Sequence, residues 1–422
     1  MDYKNKIITV GQALDMVKSG MRIALGDATV EPQAFLENIH TIADRVKDVE
    51  LTNCLGLRSY PFMENSAYHD SFILRSLFFS KPTREAEKYL RVSYVPCHLR
   101  HTARAILAQG KPDLFVTTCT PPDEEGNMSI GLSNIYSSDV VKHAKKVIVE
   151  INDKMPYTYG NNIINVKDVD YIVPVSYPLP QDVPPAPNEK DRMIAGHIAE
   201  YLKDGDCVQI GIGGIPNSVT EFLAEKKDLG IHTELLGDGL AKLAMRGVVN
   251  GSKKQFMKGK IVTSIVMGTD VVYDFVNKNP DVYVMSCSKC NDPYTVRKNK
   301  NQVSINPTLE VDLTGQACSE AIGSRQFSGT GGQADTTIGT QMSKGGRSFL
   351  ALYSTARVLN KETGETVSLQ RNDAMYIVTE YGAVNLMGLS VSDRAKKLIS
   401  IAHPKFREGL TLQAKALGLI KE

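Results

Sequence analysis

Asp206-Cys207-Val208-Gln209-Ile210-Gly211-Ile212-Gly213-Gly214-Ile215-Pro216-Asn217-Ser218 is the stretch that decides how this chain is read. Residues 206–210 have the character of a short strand. A glycine turn follows, and Pro216-Asn217-Ser218 opens a helix that the pattern carries to Lys226. Strand, glycine turn and helix together set backbone amides at a helix N-terminus, where anions bind. The turn is not a dinucleotide fingerprint, because Pro216 stands where G-x-G-x-x-G needs its third glycine. Nor does it end in the Gly-Lys-Ser/Thr of a nucleoside triphosphate loop. For one glycine cluster alone, a tight structural turn is as good a reading as a ligand loop.

The same alternation runs outward in both directions. Thr9 caps an expected helix over 10–19, and 21–25 reads as a strand ending at Gly26-Asp27. A helix is expected over 31–46, with Pro32 in its first turn. Residues 90–95, 114–118, 145–151 and 169–173 read as strands, the last closed by Pro174. Beyond the glycine turn, Ser348 to Tyr353 reads as another strand. Strands alternating with helices predict α/β layers built on largely parallel sheets. Clustered prolines at 178, 180, 184, 185 and 187 interrupt both patterns and mark a linker. Two domains are therefore expected, 1–188 and 189–422. A helix over 191–201 opens the second.

A chain of 422 residues exceeds one ordinary core. Its net charge of +2 makes no electrostatic case for nucleic acid or an anionic membrane. No apolar run approaches the ~20 residues of a membrane span. The N-terminal residues lack the apolar core of a signal peptide, so a cytoplasmic location is expected. The seven cysteines are odd in number and mostly isolated, which argues against a disulfide framework. Cys287-Ser288-Lys289-Cys290 lacks a second ligand pair at useful spacing for zinc, and reads as reduced thiols in or beside a strand.

Two further segments bear on chemistry. Phe327-Ser328-Gly329-Thr330-Gly331-Gly332-Gln333-Ala334-Asp335 carries three glycines in four residues, a nest of N–H donors or else a flexible loop. Ile231-His232-Thr233-Glu234-Leu235-Leu236-Gly237-Asp238-Gly239 runs from a strand end into a tight turn, the position where α/β folds place reactive groups. A carboxylate held between two glycine loops has an oxyanion site beside it, an arrangement suited to acyl chemistry on a phosphate-bearing carrier. Most glutamates are solvated surface charges, however, and Glu310, Glu320 and Glu380 compete with Glu234. Residue chemistry alone does not choose among the four. His232 either orients a carboxylate or is an ordinary structural histidine. Lys344-Gly345-Gly346-Arg347 is a basic surface turn or a phosphate contact. Pro121-Pro122-Asp123-Glu124-Glu125 is an acidic surface loop or a cleft wall.

Taken together, these pieces resemble the acetyl-CoA hydrolase/transferase branch of the class I coenzyme A transferases, and within it the 4-hydroxybutyrate and butyrate CoA-transferases. The likeness runs through Glu31-Pro32, Pro121-Pro122-Asp123, Ser129-Ile130-Gly131, Val149-Glu150-Ile151-Asn152 and Met155-Pro156 in the first half. In the second it runs through Gly211 to Asn217, His232-Thr233-Glu234, Ser304-Ile305-Asn306, Val311-Asp312-Leu313, Gly329 to Asp335 and His403-Pro404. The resemblance implies two open α/β domains with the active site in the cleft between them. It implies Glu234 as nucleophile, with Asn306 and Gly332 forming the oxyanion hole. Gly211, Ile212, Gly213, Gly214, Ile215, Ser328, Gly331 and Lys344 are the implied contacts to CoA. One departure is Pro307 after Asn306, where relatives often carry Ser or Thr. Acyl-CoA and a short-chain carboxylate are the implied substrates, with no metal and no tightly bound cofactor, and a homodimer or larger assembly is expected. The alternatives are an acyl-CoA hydrolase using the same site, or a non-catalytic CoA-binding α/β protein.

Overall fold

In an all-parallel sheet both faces are covered by helices, so its strands read as unbroken apolar runs. Val49–Asn53 and Leu114–Cys119 are buried at every residue, although Glu50, Thr52 and Asn53 interrupt the apolar run of the first and Thr117 and Thr118 that of the second. The computed structural model describes residues 3–183, 186–211, 213–355 and 366–421. Within these the chain divides into two units, Met1–Asp182 with Val262–Cys290, and Val183–Ile261 with Asn291–Glu422.

The first unit is built on seven parallel strands: β1 (Arg22–Leu25), β2 (Val49–Asn53), β3 (Phe72–Ser76), β4 (Arg91–Tyr94), β5 (Leu114–Cys119), β6 (Lys146–Asn152) and β7 (Tyr171–Val175). Their order is β7-β6-β5-β1-β2-β3-β4. The direction of winding reverses between β1 and β5. Phe35, Leu36, Ile39, Leu51, Phe62, Phe72, Val116 and Ile148 belong to its core. Pro174 does not close β7 as expected. It lies within the strand, which runs on to Val175. Proline is tolerated there because β7 is an edge strand of the sheet, met on its outer side only at Ile172 by the isolated bridge from Ile7.

The helix α1 (Val10–Asp15) opens on a Thr9–Gln12 capping box, shorter than the expected 10–19. The helix expected over 31–46 is also short. Pro32 is its N-cap, α2 spans Gln33–Asn38, and a 3-10 turn follows over Ile39–Ile42. Thr41 Oγ1 donates to Asn38 O and competes with the helical ladder there.

The second unit carries β8 (Cys207–Ile210), β9 (Gly230–Ile231), β10 (Gln302–Pro307), β11 (Arg347–Ala351), β12 (Tyr376–Thr379) and β13 (Gly382–Asn385) in the order β9-β8-β10-β11-β12-β13. All pairs are parallel except the final hairpin, β12 with β13. Its helices include α3 (Glu189–Ala199), α4 (Gly214–Leu223), α5 (Asp238–Met245), α6 (Gln333–Met342), α7 (Val391–Ile401) and α8 (Pro404–Ala416).

The expected split at residue 188 needs correction in two respects. The first unit ends at Asp182, and Val262–Cys290 returns to it. Strand pairing overrides sequence order: Val282–Val284 pairs in parallel with Tyr159–Gly160. A Cβ at Gly160 would stand 1.9 Å from Val284 O, so only glycine permits that approach. Cys287–Cys290 forms one helical turn rather than a strand, with both thiols buried.

Candidate active site

β8 delivers Gly211 to the C-terminal edge of the second unit's sheet, where its N–H donates to Ile305 O at 2.8 Å. Ile212 lies outside the described residues. Gly213 caps α4 with φ 122°, a conformation that favours glycine. Gly214 begins the helix against Asp191, whose Oδ2 would stand 2.7 Å from a Cβ there. Pro216 falls in the first turn, where its missing N–H costs no helical bond. Gly213, Gly214, Pro216, Pro307, Thr308 and Tyr353 help line a cavity of about 400 Å³, whose wall also includes Asp191 and Ile215. The glycine turn thus stands beside open space at the strand ends, with a helix N-terminus of ten residues behind it.

Glu234 sits between β9 and α5. The turn holding it is tied by Thr233, whose Oγ1 donates to Leu235 O at 3.0 Å and lies 3.4 Å from the Ile210 N–H. His232 packs on Phe256, and its Nδ1 lies 3.4 Å from Asn299 Nδ2, which favours the structural reading of that histidine. The N–H of Gly332 donates to the Glu234 carboxylate. Asn291 Nδ2 donates to Oε2 at 2.9 Å. A Cβ on Gly332 would stand 1.8 Å from Oε2 and 2.1 Å from Asn291 Nδ2. Gly332 is therefore a glycine for want of space, since its φ of −96° is open to any residue. Part of the Glu234 side chain stays exposed. Dense protein around the carboxylate still removes enough water to push its pKa up to about 7, and the Asn291 and Gly332 hydrogen bonds only partly offset this.

The rival glutamates have other surroundings. Glu380 accepts from the Ser354 N–H at 2.9 Å and Oγ at 2.7 Å, and pairs with Lys190 at 3.5 Å. Burial opposes its charge, but these partners outweigh it and hold the carboxyl below its ordinary value. Glu320 accepts from Ser368 Oγ at 2.8 Å and Thr330 Oγ1 at 3.3 Å. Glu310 is buried in a short strand paired with Ala317–Cys318.

The remaining expected residues divide. Gly331, with φ 55°, turns the chain so that Gly332 can cap α6. Ser328 supports the loop behind them, donating from Oγ to Ser319 O at 2.9 Å. Asn306 is a correction: its carboxamide is engaged with Gln209, Ser304 and Thr336, and the carboxamide on Glu234 is that of Asn291. Lys344 is another. It lies beyond the far end of α6, about 15 Å along the helix from Gly332, and its carbonyl accepts from the Asn301 N–H at the N-terminal edge of β10. The first-half motif Pro121-Pro122-Asp123 forms an exposed turn in which Asp123 accepts from the Glu125 and Asn127 N–H groups. Asn291 was not singled out from sequence, because an asparagine after Cys290 matches no pattern by itself.

Models of the acetyl-CoA hydrolase/transferase N-terminal and C-terminal domains match residues 1–176 and 268–414. The chain belongs to the acetyl-CoA hydrolase/transferase family. The 4-hydroxybutyrate coenzyme A transferase of Clostridium kluyveri is 38% identical over 97% of both chains. The succinyl-CoA:cyclohexane-1-carboxylate CoA transferase of Geobacter metallireducens is 38% identical over 99% of this chain and 97% of its own. The crystal structure of RipA from Yersinia pestis superposes with a TM-score of 0.90 at 33% identity, covering 99% of each chain.

Proposed function

We propose that the chain is a CoA-transferase that moves CoA from a short-chain acyl-CoA to a carboxylate by way of Glu234. The observation that carries this is the Glu234 carboxylate held by the Gly332 N–H and the Asn291 amide. The substrate relatives suggest butyryl- or 4-hydroxybutyryl-CoA as donor and acetate as acceptor. Glu234 attacks the thioester carbonyl, and CoA thiolate leaves as an acyl-glutamyl anhydride forms. The thiolate attacks the glutamyl carbonyl, which expels the free acid and leaves a glutamyl-CoA thioester. A second carboxylate runs both steps in reverse. Every intermediate is an activated acyl group, so the bonds balance with no other reactant.

The proposed oxyanion donors on the Glu234 side are Gly332 N–H and Asn291 Nδ2. Both already donate to the carboxylate on which charge develops when the glutamyl carbon becomes tetrahedral, Asn291 at Oε2, and each such donor is worth roughly 3–4 kcal/mol. Gly211, Gly213, Gly214 and Ile215, at the start of α4 and beside its cavity, are the proposed CoA contacts, with Ile212 and Ser328 carried by the resemblance alone. No helix among the described residues is long and apolar enough to cross a membrane. A cytoplasmic setting and a homo-oligomer belong to the same proposal.

Incubation with butyryl-CoA, then borohydride and peptide mass mapping, tests it. Reduction at Glu234, dependent on acyl-CoA and lost in Glu234→Gln, is the expected result. Reduction at Glu310, Glu320 or Glu380 would overturn the assignment. Turnover without any acceptor acid would favour the hydrolase.

A further inference from the structure

We infer that Asn306 and Thr336 are positioning residues that join the two glycine-rich loops of the second unit and set the Gly332 N–H against Glu234. This rests on the transferase reading above and extends it from the groups that touch the nucleophile to those that hold them.

Three buried, uncharged side chains of β8 and β10, Gln209, Ser304 and Asn306, form a closed ring, and a fourth, Thr336 of α6, is joined to it. Gln209 Nε2 donates to Asn306 Oδ1 at 3.0 Å. Asn306 Nδ2 donates to Ser304 Oγ at 3.0 Å and lies 3.4 Å from Thr336 Oγ1. Ser304 Oγ donates to Gln209 Oε1 at 2.6 Å. Thr336 Oγ1 then donates to Gly332 O at 3.0 Å. Ser304 Oγ also lies 3.0 Å from Thr336 Oγ1, so its one proton is given to Gln209 at the shorter distance, and the Asn306 amide supplies the donor to Thr336. Polar groups in this layer are costly unless each is paired, so a complete ring holds its members in one geometry.

The ends of the ring are the informative part. Asn306 Oδ1 would stand only 3.0 Å from a Cβ on Gly211, so it packs on the backbone that opens the first loop. The carbonyl of Gly332 accepts from the Thr336 N–H at 2.9 Å and from its hydroxyl at 3.0 Å, so the hydroxyl adds a second tie between the ring and the residue whose N–H reaches Glu234. A displacement at either loop is therefore felt at the other. Asp335, in the same helical turn, is buried as well. The surroundings that set the Glu234 carboxyl are the Asn291 and Gly332 donors and the loss of water.

Carboxyl-13C glutamate labelling tests this, with the Glu234 resonance assigned by its loss in Glu234→Gln. In Thr336→Val the hydroxyl goes while the volume stays. The Glu234 titration midpoint is expected to rise by roughly half to one unit, because the Gly332 N–H favours the charged form. kcat for acyl-CoA:acetate exchange is expected to fall about tenfold with KM for acyl-CoA within about twofold, and Thr336→Ser to restore both. Asn306→Ser is expected to move the midpoint the same way, and carries the test if Thr336→Val does not fold. An unchanged midpoint with only a lower Tm, or Thr336→Ser behaving like Thr336→Val, would overturn the inference. The titration reads Glu234 whether or not CoA is transferred. A wild-type protein without exchange activity but with the shift intact would reject the transferase reading alone.

Discussion

Glu234 in the second unit and Glu150 in the first are alike in acidity and unlike in use. Burial pushes both up to about 7. Both come near the C-terminal end of a strand in a parallel sheet. Glu150, however, is buried throughout, accepts the Ala34 and Phe35 N–H groups at 3.1 and 2.7 Å, and accepts Tyr177 Oη at 2.7 Å. It caps α2 from across the sheet, a service that Pro32 cannot perform for its own helix. Glu234 instead keeps an exposed portion and faces a glycine with no room for a side chain. A raised pKa therefore marks burial in both units, and accessible geometry separates the proposed nucleophile from the structural carboxylate.

The largest test of this contrast is the pair of glutamine substitutions. Glu234→Gln is expected to lower exchange by on the order of 10³-fold or more, with the fold intact by circular dichroism. Glu150→Gln is expected to keep kcat within a fewfold and to lower stability by about 1–3 kcal/mol, because the amide NH₂ meets N–H donors. Their pH behaviour sharpens the difference. The folded pKa of Glu234 lies above its ordinary 4.5, so the native state holds the proton more tightly. Stability is then lost as pH rises through 4.5 to about 7. Glu234→Gln should match the wild type below pH 4.5 in urea unfolding and exceed it by up to about 3 kcal/mol at pH 8. As the proposed nucleophile, Glu234 must be ionised to attack, so kcat/KM should fall about tenfold per unit below an apparent pKa near 7.

Gly332→Ala comes next, with a loss of roughly 10²-fold in kcat, since its methyl occupies the place of Oε2. If activity survives, the wall of the site is not where the structure puts it. Asn291→Asp should move the acid limb of kcat/KM upward by about one unit or more, because a second carboxylate beside Glu234 opposes its charge. An unmoved limb would detach Asn291 from the nucleophile. The smallest effect is expected for Lys344→Ala, with KM for acyl-CoA changed less than about twofold. A larger rise would restore Lys344 as a phosphate contact and contradict its place behind α6.

Part of the α/β layering was legible where buried strands carry apolar runs, as at Val147–Val149, and glycine punctuates their turns, whereas β2 with Glu50, Thr52 and Asn53 carries no such signal. The strand stands at 207–210, and a helix follows as expected, but it opens at Gly214, two residues before Pro216, and ends at Leu223 rather than Lys226. Helix lengths were less legible. The pattern over 31–46 has the right apolar spacing, yet a threonine hydroxyl and an adjacent asparagine end α2 early. Pro174 misled in the other direction, since whether proline stops a strand depends on whether that strand has a neighbour on both sides. Asn306 and Asn291 show the same limit at the site. Asn306 ends a strand and Asn291 follows the Cys287–Cys290 helical turn, and motif likeness favoured the one whose amide turns inward.

The sequence by itself determined that two glycine-rich loops and a turn-borne glutamate would lie in one α/β unit, because local periodicity and backbone freedom are properties of short segments. The tertiary structure alone decided which carboxylate is confined without being sealed, which asparagine meets it, and that Val262–Cys290 leaves its neighbours for the other unit. Those outcomes depend on distances between residues remote in the chain, set by packing and strand pairing that no short segment encodes.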